Sequence, residues 1–220
     1  AAGTSAPEFF VSFMSALKGT PDMAVGNVVG SNIFNVLLIV GITAMVTPIK
    51  VTRSTVNKDM RWAILASGLF LFCCFGQLPL SFQGCTISRT DGIVLLAFFA
   101  IFMYVTLKTA KTDTADTPQE KKESAVKNVF FFVAGLAMLI LGSNVFVDSA
   151  SNVAASLGVS QGIIGLTIVA GGTSLPELAT SVVAAKKGNS AIAIGNVIGS
   201  NVFNILAILG TTAVICPLEI

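Results

Sequence analysis

The sequence predicts an all-α, polytopic membrane helix bundle with inverted-topology repeats and broken helices, and three observations carry that prediction. Of 220 residues, 54% are hydrophobic and only 11% charged, which is more apolar surface than a soluble domain of this length can bury. Apolar runs of about 20 residues, the length of one α-helical crossing, recur along the chain. Residues 3–48 and 172–217 align without a gap at a constant offset of 169, with 24 of 46 positions identical, which is duplication.

Hydropathy, punctuated by Gly, Pro and charge, places helices near 4–17, 23–47, 61–81, 91–109, 127–147, 161–186 and 190–214, with room for an eighth span to begin at the end. The chain divides accordingly. A first repeat, truncated at its start, fills 1–48; connecting helices and a loop fill 49–126; the first helix of the second half fills 127–160; and the second repeat fills 161–217. The one polar stretch of any length runs from Lys108 to Lys127, with Asp113, Asp116, Pro118, Glu120, Lys121, Lys122 and Glu123, and reads as a solvated loop.

Charge sets the topology. Eleven of the 13 Lys and Arg residues fall in loops around 50–61, 108–127 and 186–187, and only Lys18 and Arg89 fall on the opposite side. By the positive-inside rule the first set is cytoplasmic. Such a split also supports the span count, because one missed helix would scramble it. The hairpin at Lys18 to Asp22 is then outside and the one at Lys186 to Asn189 inside, so the two copies run antiparallel through the membrane. A net charge of +2, scattered through short loops, offers nothing to hold nucleic acid. There is no histidine, and Cys73, Cys74, Cys85 and Cys216 lack paired spacing, so zinc is excluded; Cys73 and Cys74 read as small hydrophobes.

The repeated residues are chemically pointed. One block reads Gly3-Thr4-Ser5-Ala6-Pro7-Glu8 against Gly172-Thr173-Ser174-Leu175-Pro176-Glu177, and a second reads Gly26 to Asn35 against Gly195 to Asn204. Inverted repeats of this kind build secondary transporters with the substrate site near the midplane between the copies. Glu8 and Glu177 sit inside apolar helices, where an ionised side chain costs about 2.5–3.5 kcal/mol. No Lys or Arg lies away from the ends of any predicted span, so the compensating charge is a proton or a bound cation, and two carboxylates match the charge of one Ca2+.

Thr4, Glu8 and Ser12 form one polar stripe at helical spacing, as do Thr173, Glu177 and Ser181. Asn27, Ser31 and Asn35, with Asn196, Ser200 and Asn204, form another on the next helix. All offer oxygen, which suits a hard cation. Gly-Thr-Ser-x-Pro-Glu also suits a helix break: Thr or Ser caps the following half-helix, and Pro7 or Pro176 fits its first turn. Unwound carbonyls, Thr4 and Thr173 being candidates, then face the ion. Gly26, Gly30, Gly195 and Gly199 make small-xxx-small faces for close packing. Ser12 and Ser181 are divided between ion contact and back-bonding to their own helices. Asn32 and Asn201, about 100° off the stripe, read as interhelical bonding groups.

These blocks resemble the paired α-repeats of the cation/calcium antiporter superfamily, specifically its sodium/calcium exchanger branch, and the resemblance spans both repeats. It implies ten helices, of which seven or eight are present, four ion subsites in a diamond near the midplane, and electrogenic alternating-access exchange of Na+ for Ca2+. Carried over by position, Glu8 and Glu177 are the shared central ligands, Thr4 and Thr173 give backbone carbonyls to Ca2+, Ser5, Ser31, Ser174 and Ser200 complete Na+ subsites, and Asn35 and Asn204 flank the centre. Many relatives, the potassium-dependent ones included, carry aspartate where this chain has Asn204, and that loss of a carboxylate argues against K+ cotransport. Ala1 aligns with Ala170 in mid-helix, so the chain reads as a fragment whose partners are the lipid bilayer, inorganic cations and the remaining helices of its parent, in the plasma or cell inner membrane.

The alternative within transporters is calcium/proton antiport, since two carboxylates also release ions by taking protons. A channel fits less well, because broken helices around a closed midplane site favour alternating access. A membrane enzyme such as a lipid phosphatase needs a basic residue for its phosphate, and these spans hold none.

Overall fold

The computed structural model describes residues 2–49, 51, 53, 55–75, 86–113 and 125–219. Cys85, Lys50, the far end of the predicted third helix and the polar loop from Thr114 to Ser124 lie outside these residues, so the readings made there are not addressed. Seven helical rods follow in chain order. They are α1 (Ala6–Leu17), α2 (Pro21–Val46), α3 (Met60–Phe75), α4 (Arg89–Asp113), α5 (Ala125–Ser156), a broken rod of α6 (Gly162–Thr173) and α7 (Leu175–Lys186), and α8 (Ser190–Ile215).

Each rod starts and stops for local reasons. Pro21 opens α2 in the first turn, where its missing N–H is not needed. The α1–α2 and α7–α8 turns pass through Gly19 and Gly188, 169 residues apart, at φ 76° and 81°, which a side chain would strain. Around each glycine the chain closes a Schellman motif, with Thr20 N–H donating to Ser15 O and Asn189 N–H to Ala184 O, both at 2.9 Å. At the N-terminus of α4, Ser88 caps through its contacts with Asp91.

Four rods are long and apolar enough to cross a membrane alone: Pro21–Val46, Arg89–Thr109, Val133–Ser156 and Ser190–Ile215. The pair Gly162–Thr173 and Leu175–Lys186, bent by 41°, makes a fifth. The predicted break in Gly-Thr-Ser-x-Pro-Glu is therefore present, and it falls at Ser174. With 12 residues α1, the counterpart of α7 in the repeat, is too short to cross a membrane alone. The helix expected to end near 147 continues to Ser156. The next left-handed glycine, where such a helix can stop, is Gly158 at φ 80°.

The polarity of the bundle is inverted relative to a soluble protein. Large apolar side chains such as Leu37, Met45 and Met138 point outward, at 70%, 81% and 74% exposure, as lipid contact requires. Glu8, Glu177, Asn27, Asn35 and Asn204 are fully buried. Apolar packing concentrates where α3 and α4 cover α8: Phe99 meets Phe203 edge-on at 5.5 Å, and Trp62 meets Phe102 at 5.4 Å. Cys73 and Cys74 belong to this cluster as small hydrophobes.

The small-xxx-small expectation is met on α2. A Cβ on Gly30 would overlap the Leu166 carbonyl oxygen and lie 2.7 Å from the Ala170 Cβ, and one on Gly26 would lie 3.0 Å from Gly162 O, so α2 and α6 touch backbone to backbone. Among the described residues nothing lies within 4 Å of a Cβ placed on Gly195.

Candidate cation site between the repeats

Two half-helices begin at the centre of the bundle. Glu8 lies in the first turn of α1 and Glu177 in the first turn of α7, where exposed N–H groups and the helix dipole favour negative charge. Pro7 and Pro176 have no N–H, which frees the carbonyls of Gly3 and Gly172 from helical pairing.

The side chains around the two carboxylates pair across the repeats in a two-fold pattern. Ser5 Oγ donates to Glu177 Oε1 at 2.7 Å, and its counterpart Ser174 Oγ donates to Glu8 Oε1 at 3.1 Å. Ser200 Oγ adds a bond to Glu177 Oε1 at 3.3 Å. The equivalent Ser31 turns instead to Ala170 O and Thr173 Oγ1, at 3.4 and 3.5 Å.

The expected Thr–Glu–Ser and Asn–Ser–Asn stripes separate into two functions. Thr173 Oγ1 donates to Asn27 Oδ1 at 3.2 Å, and Thr4 Oγ1 to Asn196 Oδ1 at 3.4 Å, so these threonine hydroxyls lock one repeat to the other. Asn27 Nδ2 donates to Glu8 O and Ser12 Oγ, at 3.2 and 2.9 Å, and Asn196 Nδ2 donates to Ser181 Oγ at 3.3 Å. Ser12 and Ser181 thus accept from asparagines on the next helix. Back-bonding is made elsewhere, by Thr43 to Ile39 O and by Thr180 to Pro176 O, each at 2.6 Å.

What remains is a set of oxygens with nothing to bond. Glu8 Oε2, Glu177 Oε2, Asn35 Oδ1 and Asn204 Oδ1 are buried without a hydrogen-bond partner. They form two symmetry-equivalent pairs, one Glu and one Asn from each repeat. A buried acceptor left unpaired costs about 1–3 kcal/mol, and more for a charged group, so these four, carried by helical segments that pack against one another, are a candidate donor set for a cation. Among the described residues no three His, Cys, Asp or Glu side chains gather, so the charge of the site comes from two glutamates and the rest of its coordination from neutral oxygen. Such a set suits Na+ and Ca2+ and disfavours soft metals.

Asn32 and Asn201, expected as interhelical bonding groups, do bond across the repeats: each donates Nδ2 to the other's backbone carbonyl at 3.3 Å. Beside them α2 and α8 each open into a π turn, Asn35–Ile39 and Asn204–Leu209. Propensity gave no signal for these turns. Their placement at the asparagine that carries a free oxygen fits the frequent use of π turns at functional sites.

The comparisons agree with this geometry. The chain matches the family model described as sodium/calcium exchanger protein over residues 1–108 and 127–220. It is 40% identical over 225 residues to the putative antiporter CaxA of Alkalimonas amylolytica, covering 99% of this chain and 68% of that one. It is 31% identical over 253 residues to the sodium/calcium exchanger MaX1 of Methanosarcina acetivorans, covering 100% of this chain and 72% of that one. A solved structure of the sodium-calcium exchanger NCX_Mj, soaked with Na+ and Sr2+, superposes with a TM-score of 0.76 at 32% identity, over 98% of this chain and 68% of that chain. An inverted-repeat bundle with paired central glutamates, matched along nearly its whole length, therefore belongs to the sodium/calcium exchanger family of membrane cation/calcium antiporters, which are transporters and not enzymes.

Proposed function

We propose that this chain forms the core of an antiporter that exchanges Na+ for Ca2+ across the plasma or cell inner membrane by alternating access, without a requirement for K+. The observation that carries the proposal is the two-fold quartet of unpartnered oxygens, Glu8 Oε2, Glu177 Oε2, Asn35 Oδ1 and Asn204 Oδ1. Two carboxylates neutralise one Ca2+, and the two amide oxygens, with the carbonyls of Thr4 and Thr173, bring its coordination to the six or more oxygens that Ca2+ takes. Ser5, Ser174 and Ser200, which bond the glutamates, together with Ser31, serve as ligands for the smaller charge of Na+. Loading the same carboxylates with Na+ or with Ca2+, one at a time, is what couples the two fluxes. The loops near 50–61, 108–127 and 186–187 face the cytoplasm. The lipid bilayer surrounds the assembly.

Replacement of the carboxylate at Asn204 by an amide removes the extra charge that a K+ would need. A second reading, calcium/proton antiport, draws on the burial of the two glutamates: the same carboxylates can be neutralised by protons. The site itself is tested by Glu8→Gln and Glu177→Gln, made in the full-length protein and assayed as Ca2+ flux in proteoliposomes. Each variant is expected to lose Ca2+ transport while remaining monodisperse with an unchanged helical circular-dichroism spectrum. Normal flux in either variant would sink the assignment.

A further inference from the structure

Four asparagines meet where α2 crosses α8, and their bonds fix which end of each amide points where. Asn32 and Asn201 each donate Nδ2 to the other's backbone carbonyl at 3.3 Å. A carbonyl can only accept, so these two amides have one allowed orientation, with Oδ1 turned toward the neighbouring helix. Those oxygens accept from the other pair: Asn35 Nδ2 donates to Asn201 Oδ1 at 2.8 Å, and Asn204 Nδ2 donates to Asn32 Oδ1 at 3.1 Å. The donor ends of Asn35 and Asn204 are thereby engaged, and Asn35 Oδ1 and Asn204 Oδ1 are the buried atoms left without a partner.

We infer that Asn32 and Asn201 are positioning residues that hold Asn35 and Asn204 oxygen-inward, each across the repeat boundary, so that the site presents acceptors and never an N–H to its cation. An amide has a right and a wrong end for a cation, and nothing in its shape chooses between them. The choice is made by the acceptor behind it. The inference rests on the cation-site reading above and adds to it two residues outside the presumed ligand set.

A carboxylate has oxygen at both ends and needs no such orientation, which supplies the test. Ca2+ dissociation constants are measured by equilibrium binding of radioactive Ca2+ to the purified full-length protein for a double-mutant cycle of Asn32→Ala and Asn204→Asp. With Asn204 present, Asn32→Ala is expected to weaken Ca2+ binding about tenfold, the scale of one misdirected hydrogen-bonding group. With Asp at 204, the same Asn32→Ala change is expected to have no effect on Ca2+ affinity. The mirror cycle of Asn201→Ala and Asn35→Asp should behave alike, and it carries the test if one set of variants fails to fold. Equal losses in both backgrounds would show that Asn32 acts through packing and would overturn the inference, as would no loss in either. Glu177→Gln is run alongside. If wild type binds Ca2+ and Glu177→Gln binds it equally well, the site reading fails and the positioning role fails with it; if Glu177→Gln abolishes binding while the cycles are additive, only the positioning role fails.

Discussion

At the residue scale, two glutamates with no basic neighbour do most of the selecting. Their Oε1 atoms are bonded by serines of the opposite repeat and their Oε2 atoms are free, so each carboxylate is held by one oxygen and offered by the other. Removing the holding bond should misplace the ligand without removing its charge. Ser5→Ala is therefore expected to raise the KM for Ca2+ several-fold with a smaller change in maximal flux, and an unchanged KM would contradict the role given to Ser5. At Asn204 the chain carries an amide and not a carboxylate, so flux should be indifferent to K+ over the millimolar range, whereas a strict K+ requirement would refute that reading. The ligand types were legible in the sequence, because an intramembrane Glu at the same place in two copies has few structural explanations. The partner choices were not. That Thr173 bonds Asn27 and Thr4 bonds Asn196 depends on how two helices from distant parts of the chain meet, which spacing along one helix does not encode.

At the element scale, the broken rods and the close-packed glycines set the geometry of the site. The break was readable because Pro176 removes a backbone donor just where Gly171 and Gly172 weaken the helix. The short α1 then follows as the counterpart of α7. The π turns at Asn35 and Asn204 were not readable, since side-chain propensity hardly distinguishes an α turn from a π turn. Glycine packing can be measured. Gly30→Ala pushes a Cβ into the backbone of α6, which cannot move aside as a flexible side chain could, and is expected to destabilise by about 1–3 kcal/mol. Thermal unfolding of the variant in detergent checks this, and an unchanged midpoint would contradict the packing described for α2 on α6.

At the scale of the whole molecule, the inverted repeat is what makes a symmetric site from one duplicated sequence. The duplication, the antiparallel sense of the copies and the all-helical class were all present in the gapless offset and the eleven-to-two division of basic residues. Sidedness follows from charge alone and can be tested directly: Lys18→Cys should react with a membrane-impermeant maleimide on intact cells, and Lys187→Cys only after permeabilisation. The reverse pattern would invert the topology and exchange the two mouths of the site.

The measurement that tests the central claim most directly is Ca2+ uptake into proteoliposomes of the full-length protein, with and without an outward Na+ gradient, at clamped pH. Exchange of Na+ for Ca2+ at the shared glutamates predicts uptake that appears with the Na+ gradient and vanishes without it. Uptake driven by a pH gradient in the absence of Na+ would contradict the account and assign the coupling to protons.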